Sequence, residues 1–387
     1  MENQLESRFS VRSNFDNIDI LRGVAATAVM LYHIVVIGNF TTFPNWGPFE
    51  VVRNGWMGVD LFFVISGFVI TLSLSRESFS TPRRAQLNFM TRRWFRIAPL
   101  YYFTIVIFIA FLQPHLLFLS GKSITAHFGS HLFFLHNLLP QTHGSIVGPN
   151  WTIALEMQFY LLMALLFTRL FSWRKTKLVL VFILSAWIWR FSTTLILKPG
   201  ESNANDQSIY AQMLPGTLDE FLVGILLARL WLESKEIGGK YKKRFEKSFF
   251  NCAMYFAVFF VLFSINMNFL RSFNYWAETA MIVFFRTGLT LTFGFLLMAF
   301  ITAPNLRLKL DAPLKYLGKI SYGVYLWHII VLSTILDRMP WVTGYKLVVV
   351  VAGLTFILSI LSYHLIEKPM IAKGYSIIKS RKINDNK

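Results

Sequence analysis

Arg22 and His33 are two ionisable residues inside one apolar stretch near the start of the sequence. The stretch covers residues 17–38 and is long enough to cross a lipid bilayer. Ionisable side chains are costly in hydrocarbon, so they usually face a protein interior or a water-filled cavity. The pattern therefore predicts a membrane-spanning helix that does more than anchor the chain.

Two carboxylic acids are expected near the depth of His33. Asp60 lies early in the second long apolar run and Glu156 lies early in the fourth. Successive runs cross the membrane in alternate directions, so the second and fourth runs both start at the outer side. Asp60 and Glu156 are then expected near the depth of His33. A buried histidine between carboxylates is typical of a general base, and an acid can orient its imidazole. The sequence thus predicts His33, Glu156 and Asp60 as catalytic residues.

Each of these residues also has a structural interpretation. His33 alone fits a histidine that is satisfied in the core, and Asp60 fits an acid that caps or pairs inside a bundle. Glu156 is the single acid of a long apolar run, so it needs a partner. Arg190 and Arg286, each inside another apolar run, are the candidate partners.

An arginine cluster lies before the third apolar run, in the sequence TRRWFRIAPLYY. Arg92, Arg93 and Arg96 stand there among aromatic residues. Planar guanidinium groups bind phosphate oxygens two at a time, so the cluster predicts a site for a phosphorylated ligand. A ligand with phosphates at one end and a reactive group at the other would suit both regions, and coenzyme A thioesters have that form. The alternative is a positively charged flank that only sets membrane orientation.

The remaining histidines show no metal-ligand spacing. His328 shares a helix face with Tyr322 and Tyr325, where packing is favoured over a site. The others in one predicted outer loop are interpreted as surface or interface groups: His115, His127, His131, His136 and His143.

These residues must be positioned by membrane helices. Of 387 residues, 55% are hydrophobic and only 15% are charged, and the mean hydropathy is +0.50. The composition predicts an all-α, polytopic membrane bundle. About ten spans are expected, at residues 18–38, 57–75, 96–113, 151–170, 178–197, 212–231, 249–269, 279–302, 318–336 and 346–366. The shorter apolar patch at residues 131–139 is predicted to be interfacial or re-entrant.

The distribution of Lys and Arg supports this numbering of spans. Of 38 basic residues, 29 fall in the segments that would be cytoplasmic and six in the opposite loops. Short cytoplasmic loops are enriched in positive charge, so both termini are predicted to be cytoplasmic. The net charge of +18 is then mainly a topology signal with some attraction to membrane lipid, and nucleic-acid binding is disfavoured.

The domain organisation follows from the same pattern. We predict a cytoplasmic N-terminal segment at 1–17, a membrane domain at 18–366 and a basic cytoplasmic tail at 367–387. No cleaved signal peptide is expected, because the first apolar run is too long for one. Cys252 is the single cysteine, so an internal disulfide is excluded, and no spacing predicts a metal site.

Several motifs, in this order along the chain, resemble the membrane acyltransferase-3 family. They are LRGVAATAVMLYH, GVDLFFVISGFVI, RRWFRIAPLYY, WTIALEMQFYLL, LGKISYGVYLWH and IEKP. The resemblance covers almost the full chain. It implies a multi-pass protein of the bacterial inner membrane that transfers acyl groups, most often acetyl, onto extracytoplasmic sugars.

The resemblance also implies roles for particular residues. Arg22 with His33, and Arg93 with Arg96, match residue pairs that the family associates with use of acyl-coenzyme A, and Glu156 matches the acid of the fourth motif. The implied partners are acetyl-coenzyme A as co-substrate, membrane lipid, and a carbohydrate or glycolipid acceptor such as lipopolysaccharide O-antigen or exopolysaccharide. His33 either deprotonates the acceptor hydroxyl or carries the acyl group covalently. We expect no hydrolase-like domain after the last span.

Two other classes of protein compete with this interpretation. A transporter or flippase of an anionic or lipid-linked solute would also place charges inside a membrane. Two features favour an enzyme. The sequence has no repeat, and the arginine cluster is separated from the depth at which His33, Asp60 and Glu156 are expected. A membrane scaffold without activity does not account for the number of charges within the spans.

Overall fold

The computed structural model describes residues 16–76, 81–118, 121–200, 203–237, 239–304 and 311–384. These residues form helices joined by turns, and none of them belongs to a β-strand. The predicted N-terminal segment lies outside the described residues except for residues 16 and 17. The predicted all-α membrane fold is confirmed.

Fourteen helices are labelled in chain order over the described ranges. They are α1 (Asp16–Ile37), α2 (Phe49–Arg53), α3 (Gly58–Ser75), α4 (Pro82–Phe111), α5 (Gly121–Leu132), α6 (Trp151–Ser172), α7 (Lys175–Leu197), α8 (Ala204–Ala211), α9 (Leu218–Ser234), α10 (Phe249–Ser272), α11 (Thr279–Thr302), α12 (Asp311–Arg338), α13 (Gly344–Ser362) and α14 (Lys368–Asn384).

Nine helical stretches within the described residues are long and apolar enough to cross a membrane. They correspond to nine of the ten predicted spans. The remaining predicted span, 212–231, contains helix α9, which has 17 residues and is preceded by a short turn. A helix needs about 20 residues to cross the hydrocarbon core unaided, so α9 is at the short limit. The two acids at its start, described below, are buried by protein.

The chain divides into two compact units. The first comprises Met1–Arg22, Asp60–Phe79 and Leu166–Gly318. In it, helices α10 and α11 pack along each other, and α9 packs against α7 and α11. Helices α3 and α9 lie close together at Gly67 and Gly224, where a methyl group on Gly224 would lie 2.0 Å from the Val64 carbonyl oxygen. Small residues permit such close helix crossings in membranes.

The second unit comprises Gly23–Val59, Ser80–Leu165 and Lys319–Lys387. Gly58, at the start of α3, lies against the backbone carbonyl of Ala25 in α1. A π-helical turn over Tyr363–Glu367 joins α13 to α14, and α14 packs along α4. Helix α14 therefore begins inside the predicted tail; the predicted domain boundaries and the cytoplasmic side of the termini stay predictions.

Candidate active site

His33 of α1 contacts His328 of α12 in the second unit. Nδ1 of His33 lies 2.9 Å from Nε2 of His328, and the two rings are stacked with centroids 5.0 Å apart. His328 is fully buried, whereas His33 is half-buried. The histidine predicted as catalytic is thus held by a residue that the sequence pattern assigns to packing.

The hydrogen bonds around this pair determine the tautomer of each ring. Nδ1 of His328 lies 3.1 Å from the backbone oxygen of Val324, which can only accept, so that nitrogen carries a proton. In neutral His328 the other nitrogen, Nε2, is then an acceptor. Nδ1 of His33 must donate to it, which leaves a lone pair on Nε2 of His33. That nitrogen can accept a proton or attack an electrophile.

Tyr325 connects the histidine pair to the start of α6. Its ring centroid lies 5.7 Å from that of His328. Its hydroxyl lies 2.7 Å from Oγ1 of Thr152 and donates to the backbone oxygen of Pro149 at 3.0 Å. Pro149 belongs to the short turn Gly148–Asn150 that leads into α6. The histidine pair and this turn are therefore fixed by the same tyrosine.

Glu156 accepts a hydrogen bond of 2.5 Å from the hydroxyl of Tyr160, one helical turn later in α6. The ring of Tyr160 in turn lies 5.3 Å from the guanidinium carbon of Arg93. Glu156 also interacts electrostatically with Arg93 and with Tyr325. The acid is therefore placed between the arginine cluster and the tyrosine that contacts His328.

Arg93 contacts two neighbouring aromatic rings. Its guanidinium carbon lies 5.4 Å from the centroid of Phe89 in the same helix, in addition to its contact with Tyr160. Cation–π contacts of this kind orient a guanidinium group without using its hydrogen-bond donors. Nε of Arg93 is buried and has no hydrogen-bond partner, and the half-buried Arg96 follows one turn later. The pair can therefore present donors to an anion.

Asp60 belongs to the first unit, and its partner there is an arginine. Oδ1 of Asp60 accepts a hydrogen bond of 2.8 Å from Nη1 of Arg286. The other two nitrogens of this guanidinium group donate to Gln212 and Tyr275. Both charged residues are buried. This ion pair is the structural alternative considered for Asp60, and its predicted role in orienting His33 stays a prediction.

Arg190 forms a second buried network in the first unit. It makes two parallel bonds to Asp219, of 3.0 and 2.8 Å, and a third of 3.2 Å to Glu220. Both acids lie in the first turn of α9, where the helix dipole also favours negative charge. Arg190 and Arg286 therefore bond to acids of the first unit. Glu156 bonds to Tyr160.

Arg22 also lies in the first unit, on the same helix α1 that carries His33. Its Nη1 is 4.0 Å from Oδ1 of Asp19, and about a quarter of its side chain is exposed, with a relative accessibility of 24%. An ion pair this long and this exposed contributes little to stability. Binding of the cofactor by Arg22 stays a prediction.

Two of the histidines that the sequence analysis interprets as surface or interface groups are buried. His131 and His136 are only 2% and 0% exposed, and their rings stack with centroids 4.0 Å apart. Burial lowers the pKa of His131 to about 4 and that of His136 to about 3. Burial also lowers the pKa of the half-buried His143 to about 4. All three imidazoles are therefore neutral at neutral pH.

No group of three or more His, Cys, Asp or Glu side chains in the described ranges is arranged to hold a metal ion. The residues that sequence reasoning missed are His328 and Tyr160. The signal for His328 was its place at the end of the motif SYGVYLWH, one turn after Tyr325.

The described residues thus form a helical membrane fold that carries a contact between two histidines and an arginine cluster. The family model described as "Acyltransferase domain" matches residues 15–364 of the chain. The chain therefore belongs to the acyltransferase-3 family, and the predicted resemblance is confirmed.

Three curated relatives are similar over nearly the whole chain. The peptidoglycan O-acetyltransferase OatA of Listeria monocytogenes is 29% identical over 95% of this chain and 57% of its own length. The putative peptidoglycan O-acetyltransferase YrhL of Bacillus subtilis is 28% identical over 94% and 56%. The O-acetyltransferase OatA of Staphylococcus aureus is 27% identical over 96% and 59%.

The chain spans less than three-fifths of the length of these relatives. No solved structure matches it. The relatives and the nine apolar helical stretches indicate a multi-pass membrane protein. The prediction of an acyltransferase is thus confirmed for the family, and the donor, acceptor and acyl group remain to be proposed.

Proposed function

We propose that this protein transfers an acetyl group from cytoplasmic acetyl-coenzyme A to a hydroxyl group of an extracytoplasmic carbohydrate polymer, across the bacterial inner membrane. The observation that carries this proposal is the contact between His33 and His328. It leaves a lone pair on Nε2 of a half-buried imidazole, in a chain that belongs to an acyltransferase family. General-base catalysis needs such a nitrogen.

The donor end of the site is assigned to Arg93 and Arg96. Their guanidinium groups suit the phosphates of coenzyme A because planar forks bind phosphate oxygens in pairs. Arg22 is assigned to the same ligand by the family pattern. Tyr160 and Glu156 support the donor site, since Tyr160 contacts Arg93 and donates to Glu156.

The transfer step requires one proton acceptor. Nε2 of His33 takes the proton of the acceptor hydroxyl as its oxygen attacks the thioester carbonyl carbon. A new carbon–oxygen bond forms, and the carbon–sulfur bond breaks. The leaving thiolate takes the proton from His33, so the imidazole returns to its starting state. His328 is a positioning residue, because its bond to Nδ1 of His33 fixes which nitrogen faces the reaction.

The acceptor is proposed as a polymer class. The relatives from Listeria and Bacillus are named for peptidoglycan, whereas the sequence pattern suggested lipopolysaccharide O-antigen or exopolysaccharide. A sugar hydroxyl outside the cytoplasm is common to all of these. Glycans purified from cells with and without the gene, compared by mass spectrometry for ester-linked acetyl groups, would identify the polymer.

Variants of the histidine pair test the proposed chemistry. We expect His33→Ala to lower acetyl transfer by a factor on the order of 10² to 10⁴, the usual contribution of a general base. His328→Phe should lower the turnover number less and shift the pH profile, because the tautomer of His33 is no longer fixed. His115, which is exposed, provides the control His115→Ala. Wild-type transfer by folded His33→Ala would rule out the proposal.

A further inference from the structure

The segment from the last turn of α5 to the start of α6 buries several polar side chains and exposes several apolar ones. Five apolar side chains of this segment are exposed: Leu132, Phe133, Leu135, Leu138 and Leu139. Its buried residues include His131, His136, Asn137, Thr142 and Asn150. This is the reverse of a water-soluble loop and fits the predicted interfacial or re-entrant segment. Apolar packing therefore does not explain the buried polar face.

Several of these buried groups have no hydrogen-bond partner. Nε2 of His131, Nδ2 of Asn137 and both polar atoms of the Asn150 amide are unpaired, although each side chain is at least 98% buried. An unsatisfied buried donor or acceptor destabilises the folded protein. Such groups are rare in folded proteins and usually await water or a ligand. We call His131, His136, Asn137 and Asn150 the histidine–amide cluster.

The cluster is contiguous. The rings of His131 and His136 are stacked, and the backbone of Asn150 lies close to the ring of His136. Oδ1 of Asn137 accepts a bond of 2.6 Å from Nε2 of Gln158 in α6, which fixes the amide and leaves its Nδ2 as the unpaired donor. The unpaired atoms are thus held in place by neighbouring groups.

The cluster has the hydrogen-bonding chemistry that suits hydroxyl groups. Nδ1 of His131 donates to the backbone oxygen of His127 at 2.8 Å, so its unpaired Nε2 is an acceptor. The amide of Asn137 supplies a donor, and the amide of Asn150 supplies one of each. A hydroxyl group is both a donor and an acceptor, whereas a phosphate or carboxylate would need cations, and the cluster contains no Lys or Arg.

The cluster is connected to the candidate active site. Pro149, the residue before Asn150, accepts a hydrogen bond from the hydroxyl of Tyr325. The ring of Tyr325 contacts His328, which holds His33. A ligand bound at the cluster would therefore lie on the turn that is fixed by the same tyrosine as the histidine pair.

We infer that the histidine–amide cluster is the binding site for the acceptor, a neutral, hydroxyl-rich carbohydrate, and that Asn150 is one of its specificity-determining residues. This inference rests on the proposed function, because it assigns the acceptor end of the same reaction. It also predicts that donor and acceptor are bound by different residues of the second unit: the donor by the arginines of α4, and the acceptor by the turn before α6.

The variant Asn150→Leu tests this inference, because the amide of Asn150 has no hydrogen-bond partner within the protein. Replacing an unsatisfied buried amide with an apolar group of similar size removes a cost and breaks no protein hydrogen bond. We expect the melting temperature of the variant, in lipid nanodiscs, to be equal to that of the wild type or higher. Its affinity for chitotetraose, a neutral sugar oligomer, should fall by about tenfold or more, since the variant loses both hydrogen bonds that the amide would make to the sugar.

A matched control is available in the first unit. Gln207 is fully buried, and its Oε1 is also unpaired, but its amide donates to Thr193 and lies outside the cluster. Gln207→Leu should leave the affinity for chitotetraose unchanged. In a transfer assay, Asn150→Leu should raise the KM for the acceptor while the KM for acetyl-coenzyme A stays at the wild-type value.

Sugar binding is measured without an acyl donor, so it is independent of catalysis. Weaker binding by Asn150→Leu, with a normal melting temperature, supports the inference even if acetyl-coenzyme A proves to be the wrong donor. Equal binding by variant and wild type would mean that the cluster holds only internal water and would overturn it. The absence of saturable wild-type binding to both chitotetraose and maltotetraose would overturn it as well.

Discussion

At the scale of single residues, the hydrogen bonds around His33 decide what the site can do. The backbone oxygen of Val324 requires a proton on Nδ1 of His328. Nε2 of His328 therefore accepts from Nδ1 of His33, which leaves a lone pair on Nε2 of His33. The aromatic rings around Arg93 act similarly on the donor side, because they orient its guanidinium group and leave its donors for an anion. In both cases, neighbouring side chains determine which atoms of His33 and Arg93 are available to a ligand.

The assignment of Arg93 and Arg96 to the donor gives a prediction. Replacing both with Gln should raise the KM for acetyl-coenzyme A by a factor on the order of 10 to 100, since a charge-assisted hydrogen bond contributes about 1.5–3 kcal/mol. The KM for the sugar acceptor should not change. Initial rates over a range of acetyl-coenzyme A concentrations would measure the effect.

Arg83 provides the matched control for this pair. It is an exposed arginine near the start of the same helix α4, so Arg83→Gln removes a charge from the same predicted cytoplasmic segment. An equal rise in KM for Arg83→Gln would indicate a general effect of surface charge and would argue against a specific donor site.

The individual candidates could be predicted from the sequence, but their partners could not. His33 and Glu156 are identified because ionisable groups in apolar runs are unusual, and Arg93 is identified because it belongs to an arginine cluster before the third run. The contact of His33 with His328 joins residues 295 positions apart, and such pairing depends on how the helices pack. The pairing of Asp60 with Arg286, 226 positions apart, was not predictable for the same reason.

At the scale of helices and turns, most of the fold was predictable. Runs of about 20 apolar residues correspond to nine long helical stretches in the described part of the chain, because the bilayer fixes the length of a spanning helix. Helix α9 was less well predicted, since its span begins with a turn at Leu214–Thr217. The polar interior of the turn before α6 was also missed, because burial of a loop depends on the surrounding helices.

The crossing of α3 and α9 gives a prediction about stability. Gly224→Ala would bring a methyl group within 2.0 Å of the Val64 carbonyl oxygen, so the helices must move apart. We expect a loss of about 1–3 kcal/mol in the free energy of unfolding, as for other overpacked cores. Thermal unfolding in detergent would detect it.

Gly353 in α13 is a suitable control for this substitution. A methyl group added at Gly353 would meet no atom within 4 Å, and Ala is favoured over Gly in a helix by about 1 kcal/mol. Gly353→Ala should therefore keep or raise the melting temperature. If Gly224→Ala behaved in the same way, the close approach of α3 and α9 would be incorrect.

The buried loop histidines predict a dependence of stability on pH. The pKa values of His131 and His136 are lowered to about 4 and about 3 from the ordinary value of 6.5. Between the lowered and the ordinary pKa the unfolded chain binds protons that the folded chain does not, so stability must fall as the pH falls below about 6.5. The expected slope is about 1.4 kcal/mol per pH unit for each imidazole.

Melting temperatures measured at several values between about pH 7.5 and pH 5 would test this dependence. The variant His131→Gln removes one of the two imidazoles and should flatten the curve, whereas His115→Gln, at an exposed position, should leave it unchanged. Parallel curves for His131→Gln and wild type would show that His131 is not buried in its neutral form.

At the scale of the whole molecule, the proposed function requires a membrane fold that connects two compartments. The distribution of basic residues predicts that the arginine cluster of α4 lies on the cytoplasmic side, and the same topology predicts that the turn before α6 lies on the opposite side. A donor that exists in the cytoplasm and an acceptor that exists outside it would then meet within the second unit. This sidedness is the central claim of the proposed function.

Transfer across a sealed membrane tests that claim most directly. The purified protein would be reconstituted in vesicles of known orientation, with radiolabelled acetyl-coenzyme A on the side of the termini and chitotetraose on the other. We predict acetylated sugar with the wild type and background levels with His33→Ala. Product formed only when donor and acceptor share one side, or formed equally well by His33→Ala, would contradict the account.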